Sequence, residues 1–260
     1  MGGASSESGE GIGLAVVVLG AFGPPLAALV LVWLSGGAIR DWIPSVLRIR
    51  VSYRWYAIAF LLPVAMVAIG TPFLFVLEGD LVVDDLPVRI VAFLPTVLFM
   101  CVLGGGQEEL GWRGFALPRL ERRLHPTVAA LALGTVWAVW HLPLFSLPGS
   151  SQFGASFLLY GFGVVGLSIP VTWLFNRSAS ASVATLLHGS YNAALLLYPV
   201  PLDQLGGAAG SSVLAVGAVT AWLVGLVLIV ATRGDLGYDP SRLDTRRYGG
   251  THDGEPSRAD

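Results

Sequence analysis

The feature that most restricts this chain is a series of apolar stretches near 20 residues long, joined by short connections that hold most of its charge. The run "VRIVAFLPTVLFMCVL" (88–103) is one of them. A stretch of this length covers a ~30 Å hydrocarbon core at 1.5 Å rise per residue, and only a helix satisfies its own backbone there. Composition agrees: 12% of residues are charged, against about 25% in soluble domains. Hydrophobic residues make up 54%, and the mean hydropathy is +0.71. The expected class is all-α, a polytopic transmembrane helical bundle.

Spans are expected at about 11–34, 55–77, 87–103, 126–145, 153–175, 181–198 and 210–231. One further re-entrant piece would escape a hydropathy reading, which makes about seven to eight spans. The domain division is an N-terminal tail (1–10), a transmembrane domain (11–232) and a cytoplasmic tail (233–260) that is Gly-, Asp- and Arg-rich, without periodicity, and expected to be disordered. The N-terminus "MGGASSESGEG" has no basic region, so the first apolar run reads as a retained span. The segment "AIRDWIPSVLRIRVSYRWY" (38–56) mixes aromatics and arginines and suits an interfacial position. No internal repeat is present.

All 15 basic residues are arginine, a bias consistent with a high-GC prokaryotic genome. Their placement sets an orientation. Arg40, Arg48, Arg50 and Arg54 lie between the first two spans, whereas the next connection, "EGDLVVDDLP", holds four acids and no base. Arg113, Arg119, Arg122 and Arg123 follow span three, Arg177 follows span five, and Arg233, Arg242, Arg246 and Arg247 follow span seven. The alternation puts the N-terminus outside and the C-terminus in the cytoplasm. The net charge of −2 points to no nucleic-acid partner; the bilayer is the expected surrounding. Cys101 is the only cysteine, which excludes an internal disulfide and a thiolate metal cluster.

Few ionisable groups remain near the spans, and such groups are functional hypotheses by default. In "EELGWR" (108–113), Glu109 and Arg113 stand at i,i+4 and can pair on one helix face, while Glu108 is rotated about 100° away and left free. In "HGSYN" (188–192), His188 and Asn192 share a face of an otherwise apolar helix. In "WAVWH" (137–141), His141 ends span four before Pro143. Glu78 and Arg89 fall at span boundaries and read as solvated or snorkelling ends.

These residue types form a coherent chemical set. A glutamate with a histidine can position and deprotonate water, and a histidine with an asparagine amide can donate to a developing oxyanion. Such a set hydrolyses an amide without a serine or cysteine nucleophile. The same Glu108, His141 and His188 could instead hold Zn²⁺ with an open fourth position, although no HExxH is present. A further reading makes His141 and His188 axial ligands of a haem. One difficulty is depth: the topology puts Glu108 toward the cytoplasmic side and His141 toward the outer side.

The three stretches resemble the motifs EExxxR, FxxxH and HxxxN of the CPBP family, the CAAX proteases and bacteriocin-processing enzymes. The likeness covers roughly 87–200, with Trp137 where the family usually has phenylalanine. It implies an α-helical membrane domain with a membrane-embedded catalytic cavity, acting as an intramembrane endopeptidase on a membrane-associated peptide or protein. It further implies that Glu108 and His141 activate water, that His188 and Asn192 stabilise the oxyanion, and that Glu109 and Arg113 support the site. No cofactor is required by this set; Zn is the alternative, since the family is often labelled metalloprotease. Relatives include the eukaryotic Ras-converting enzyme and bacterial proteins of bacteriocin maturation or immunity. The competing function is a non-enzymatic membrane scaffold or bacteriocin-immunity protein that binds a partner.

Overall fold

A computed structural model describes residues 19–241. The expected N-terminal tail, the start of the first span and the C-terminal residues from 242 onward lie outside the described residues. Those described form a helical bundle without strands. In chain order the helices are α1 (Gly23–Leu34), α2 (Ile39–Leu47), α3 (Tyr53–Glu78), α4 (Leu86–Val102), α5 (106–121), α6 (Pro126–Trp140), α7 (Phe157–Ser178), α8 (Ala181–Ala194) and α9 (Ser211–Ala231). Prolines open several of them, at the first turn where no N–H is needed, as in α4 and α6. Ser180 caps α8 by accepting from the Val183 N–H.

Five helical stretches are long and apolar enough to cross a membrane: Tyr53–Glu78, Leu86–Glu121, Pro126–Ser146, Phe157–Ser178 and Ser211–Ala231, with shorter apolar helices beside them. Large aliphatic side chains such as Leu158, Val76, Val91 and Val230 project from the bundle, the surface of a protein solvated by lipid. This is a polytopic helical membrane protein.

Three expectations change. The third span does not end at Leu103: after a break the helical path continues to Glu121, so "EELGWR" lies inside the bundle and not in a cytoplasmic loop. The sixth stretch is a helix of 14 residues, about 21 Å long, short of a ~30 Å core. It is walled in by α3, α4 and α7, and, being inside protein, need not span. Arg89 does not snorkel. It is 3% exposed and donates to Asp85 Oδ2 (2.6 Å) and to the carbonyls of Tyr198 (3.0 Å) and Val200 (2.8 Å), fastening the segment after α8 to the start of α4.

The charge alternation has a structural counterpart. Ser182 Oγ donates to Leu47 O, Thr127 Oγ1 to Gly234 O (2.6 Å), and Gly237 lies against the Arg177 stem, so the arginine-bearing connections meet at one end. At the other end, Val82 N–H donates to Pro199 O (2.9 Å) and Gly207 N–H to Ser151 O (2.8 Å). The stretch expected to be disordered from Arg233 begins with a turn that docks on the first end, where Leu236 is fully buried.

Candidate active site

The site is built around the break between α4 and α5. Continuous helix over all 36 residues of Leu86–Glu121 would run about 54 Å, far beyond the ~30 Å core. The chain interrupts it at Gly105, whose φ of +110° is closed to side chains with a Cβ at ordinary cost. Gln107 Oε1 accepts from the Gly105 N–H (3.1 Å), and Asn192 Nδ2 donates to Gly104 O (2.9 Å). α5 then begins with a tight turn through Glu108, and a wide π-turn follows over Trp112–Ala116; such turns recur at functional sites.

The two glutamates are buried, Glu108 at 3% and Glu109 at 0% exposure, and their surroundings differ. Glu109 accepts from Arg113 Nη1 on both oxygens (3.0 and 2.9 Å) and from His188 Nδ1 on Oε1 (2.9 Å). Arg113, itself fully buried, also donates through Nη2 to Ser168 Oγ (2.8 Å) on α7 and lies over the Trp137 ring at 5.0 Å. The i,i+4 pairing read from sequence is thus present, and it extends to an imidazole that the sequence did not connect to it. Glu108 forms no salt bridge among the described residues; Arg113 acts on it only through space. Its Oε2 accepts two indole N–H bonds, from Trp112 Nε1 (3.1 Å) and Trp137 Nε1 (2.9 Å).

Both histidines join this cluster. The Trp137 ring centroid lies 6.0 Å from that of His141 and 5.0 Å from that of His188. His141 Nδ1 is 2.8 Å from Trp137 O, an oxygen that can only accept, so Nδ1 carries the hydrogen and Nε2 is left for other partners. His188 Nδ1 is likewise committed to Glu109, again leaving Nε2. That nitrogen and Asn192 Nδ2 both crowd Gly105, where a Cβ would sit 3.2 and 3.4 Å from them. The depth conflict disappears because α5 and α6 form an antiparallel hairpin: Glu108 near the start of α5 faces Trp137 in the last turn of α6. All six expected residues, Glu108, Glu109, Arg113, His141, His188 and Asn192, therefore lie in one neighbourhood.

Sequence reasoning missed Trp112, Trp137 and Ser168 as hydrogen-bonding groups, and Tyr160, whose ring is 5.2 Å from that of His141. Trp112 was within reach of the rule that found Arg113, since it stands at i+4 from Glu108 as Arg113 does from Glu109. Trp137 and Ser168 come from other helices and carry no local signal.

Neither bound group suits these positions. Among the described residues, no three of His, Cys, Asp and Glu converge closely enough to hold an ion, so the Zn²⁺ set of Glu108, His141 and His188 is not assembled. Trp137 packs against both imidazoles, so each ring that the haem reading takes as a ligand has a bulky indole beside it.

Residues 90–194 match the Rce1-like family, described as type II CAAX prenyl endopeptidase Rce1-like. The motif-bearing core is similar to that family. A curated relative, CAAX prenyl protease 2 of Methanococcus maripaludis, is 30% identical over 104 residues, which are 36% of this chain and 37% of that protein. This chain thus matches little more than a third of the relative's length. The matched core contains all three motifs, and spans outside it are placed by hydropathy and by the structure alone.

Proposed function

We propose that the protein is an intramembrane endopeptidase that hydrolyses membrane-associated peptides or proteins, with Glu108 as general base. The observation that carries this reading is the contrast in one buried dipeptide. Glu109 is consumed by Arg113 and His188, while Glu108 keeps one carboxylate oxygen free beside two imidazoles whose Nε2 atoms are also free. A buried carboxylate whose bonded partners are neutral indoles is costly to keep, and its retention supports a chemical task.

In the proposed reaction a water donates one hydrogen bond to His141 Nε2 and gives its other proton to Glu108 Oε1. Its oxygen adds to the substrate carbonyl carbon. The resulting oxyanion accepts from Asn192 Nδ2, which has a second N–H beyond the one given to Gly104 O, and from His188 Nε2 when that ring is doubly protonated. Glu108 then returns its proton to the amine nitrogen as the C–N bond breaks. No step is routed through a metal.

The arginine-bearing end is assigned to the cytoplasm by the positive-inside rule, in a prokaryotic cell membrane with the N-terminus outside. The curated relative's name points to prenylated CAAX proteins as a substrate class to test first. The experiment is a proteomic comparison of cells carrying wild type or Glu108→Ala, both shown to insert. Accumulation of uncleaved membrane peptides in the variant is expected. Identical peptide profiles, with the cellular phenotype intact, would overturn the reading in favour of a scaffold or immunity protein.

A further inference from the structure

Glu108 is held in an unusual way. Buried carboxylates are ordinarily neutralised by arginine or lysine, as Glu109 is by Arg113 two bonds deep. Glu108 instead receives two neutral donors on a single oxygen. Indole N–H is a donor only, so neither tryptophan can take a proton or lend a charge. What the pair supplies is orientation. A glutamate side chain has three rotatable bonds, and two donors from two different helices, α5 and α6, fix the plane of its carboxylate. The rings are themselves fixed. Trp112 meets Trp140 edge to face, with centroids 6.2 Å apart, and Trp137 is 1% exposed and wedged among Arg113, His141 and His188.

We infer that Trp112 and Trp137 are positioning residues for the proposed reaction: together they saturate Oε2 of Glu108 and so present Oε1 as the atom that takes the proton. This rests on the reading of Glu108 as base, but its core, the pair of bonds to Oε2, is testable without any substrate. Trp137 stands where the resembling family usually has phenylalanine, which has no N–H, so the two-donor arrangement belongs to this chain's own sequence.

The test replaces each indole in the full-length purified protein with 3-benzothienylalanine, which keeps the bicyclic shape and exchanges N–H for sulfur. Trp137→Phe and Trp112→Phe serve as second variants. The infrared carboxylate band of Glu108, assigned by difference from Glu108→Gln, is expected to shift for the isostere at either position, and further for both. On the peptide that accumulates in Glu108→Ala cells, or on a fluorogenic farnesylated CAAX peptide, kcat is expected to fall about 10- to 100-fold per position with KM within about twofold, because misorientation near the reacting atoms carries costs of this order. A merely structural role would lower the folded fraction and leave the kcat of folded enzyme unchanged. An unshifted band overturns the inference, as does an unchanged kcat. If Glu108→Gln is inactive while the isosteres behave as wild type, only this inference falls; if Glu108→Gln remains active, the proposed reaction falls whatever the band shows.

Discussion

Two buried arginines sit at opposite ends of the Leu86–Glu121 path, each at i+4 from an acid: Arg89 from Asp85 and Arg113 from Glu109. The local sequence rule is the same, and the outcomes differ. Arg89 turns its two Nη groups to backbone carbonyls of the segment after α8 as well, and its acid is 40% exposed. Arg113 turns Nη2 to the Ser168 hydroxyl, and its acid, fully buried, reaches on to His188. One arginine fastens chain to chain; the other closes a relay that fixes an imidazole. An acid–arginine pair in a membrane helix thus announces burial without announcing a task, and the task is read from what the acid touches next.

This contrast can be broken by substitution. Arg113→Leu strips both guanidinium bonds from buried Glu109 and leaves it His188 Nδ1 alone, a loss of about 3–5 kcal/mol, and is expected to abolish stable insertion. A double variant that also carries Glu109→Gln should recover melting temperature but not activity, since His188 loses its carboxylate. Equal activity in the double variant would merge the two arginines into one structural class. Gly105→Ala is next. It forces a Cβ into a left-handed backbone at about 1–3 kcal/mol and pushes a methyl group toward His188 Nε2 and Asn192 Nδ2, so activity is expected to drop about 100-fold. Purified, folded Gly105→Ala enzyme with wild-type kcat would count against the placement of the site at the break.

Arg89→Met should behave in the opposite sense, costing about 1.5–3 kcal/mol in thermal stability as its charged hydrogen bonds are lost, with kcat of the folded fraction retained. A kcat loss larger than tenfold would show that the fastening also sets the position of Asn192. The smallest effect is expected from Asp85→Asn, about 0–1 kcal/mol and weaker at high salt, because that carboxylate is partly solvated; melting curves at two ionic strengths measure it.

The bundle was legible from hydropathy because apolar length is a local property. The Glu109–Arg113 pair was legible because i,i+4 is local as well. The break at Gly105 was not: "GGG" reads as the end of a span, and only burial of Glu108 and Glu109 shows that the helical path resumes within the protein. The short α8 was read as a span because an apolar run does not disclose whether lipid or protein surrounds it. The burial of Arg89 is hidden for the same reason, its carbonyl partners at Leu196, Tyr198 and Val200 lying more than a hundred positions away.

The bond from Asn192 to Gly104 O has a consequence apart from chemistry. In a medium without water, each carbonyl released by an interrupted helix must find a donor, at a cost of several kcal/mol if it does not. Here the donor belongs to a side chain of α8, so the interruption in one helix is insulated by another. Any withdrawal of α8 exposes that carbonyl, and the two helices must therefore open as a unit. Amide exchange at Gly104–Gly106 and along α8 should then rise and fall together.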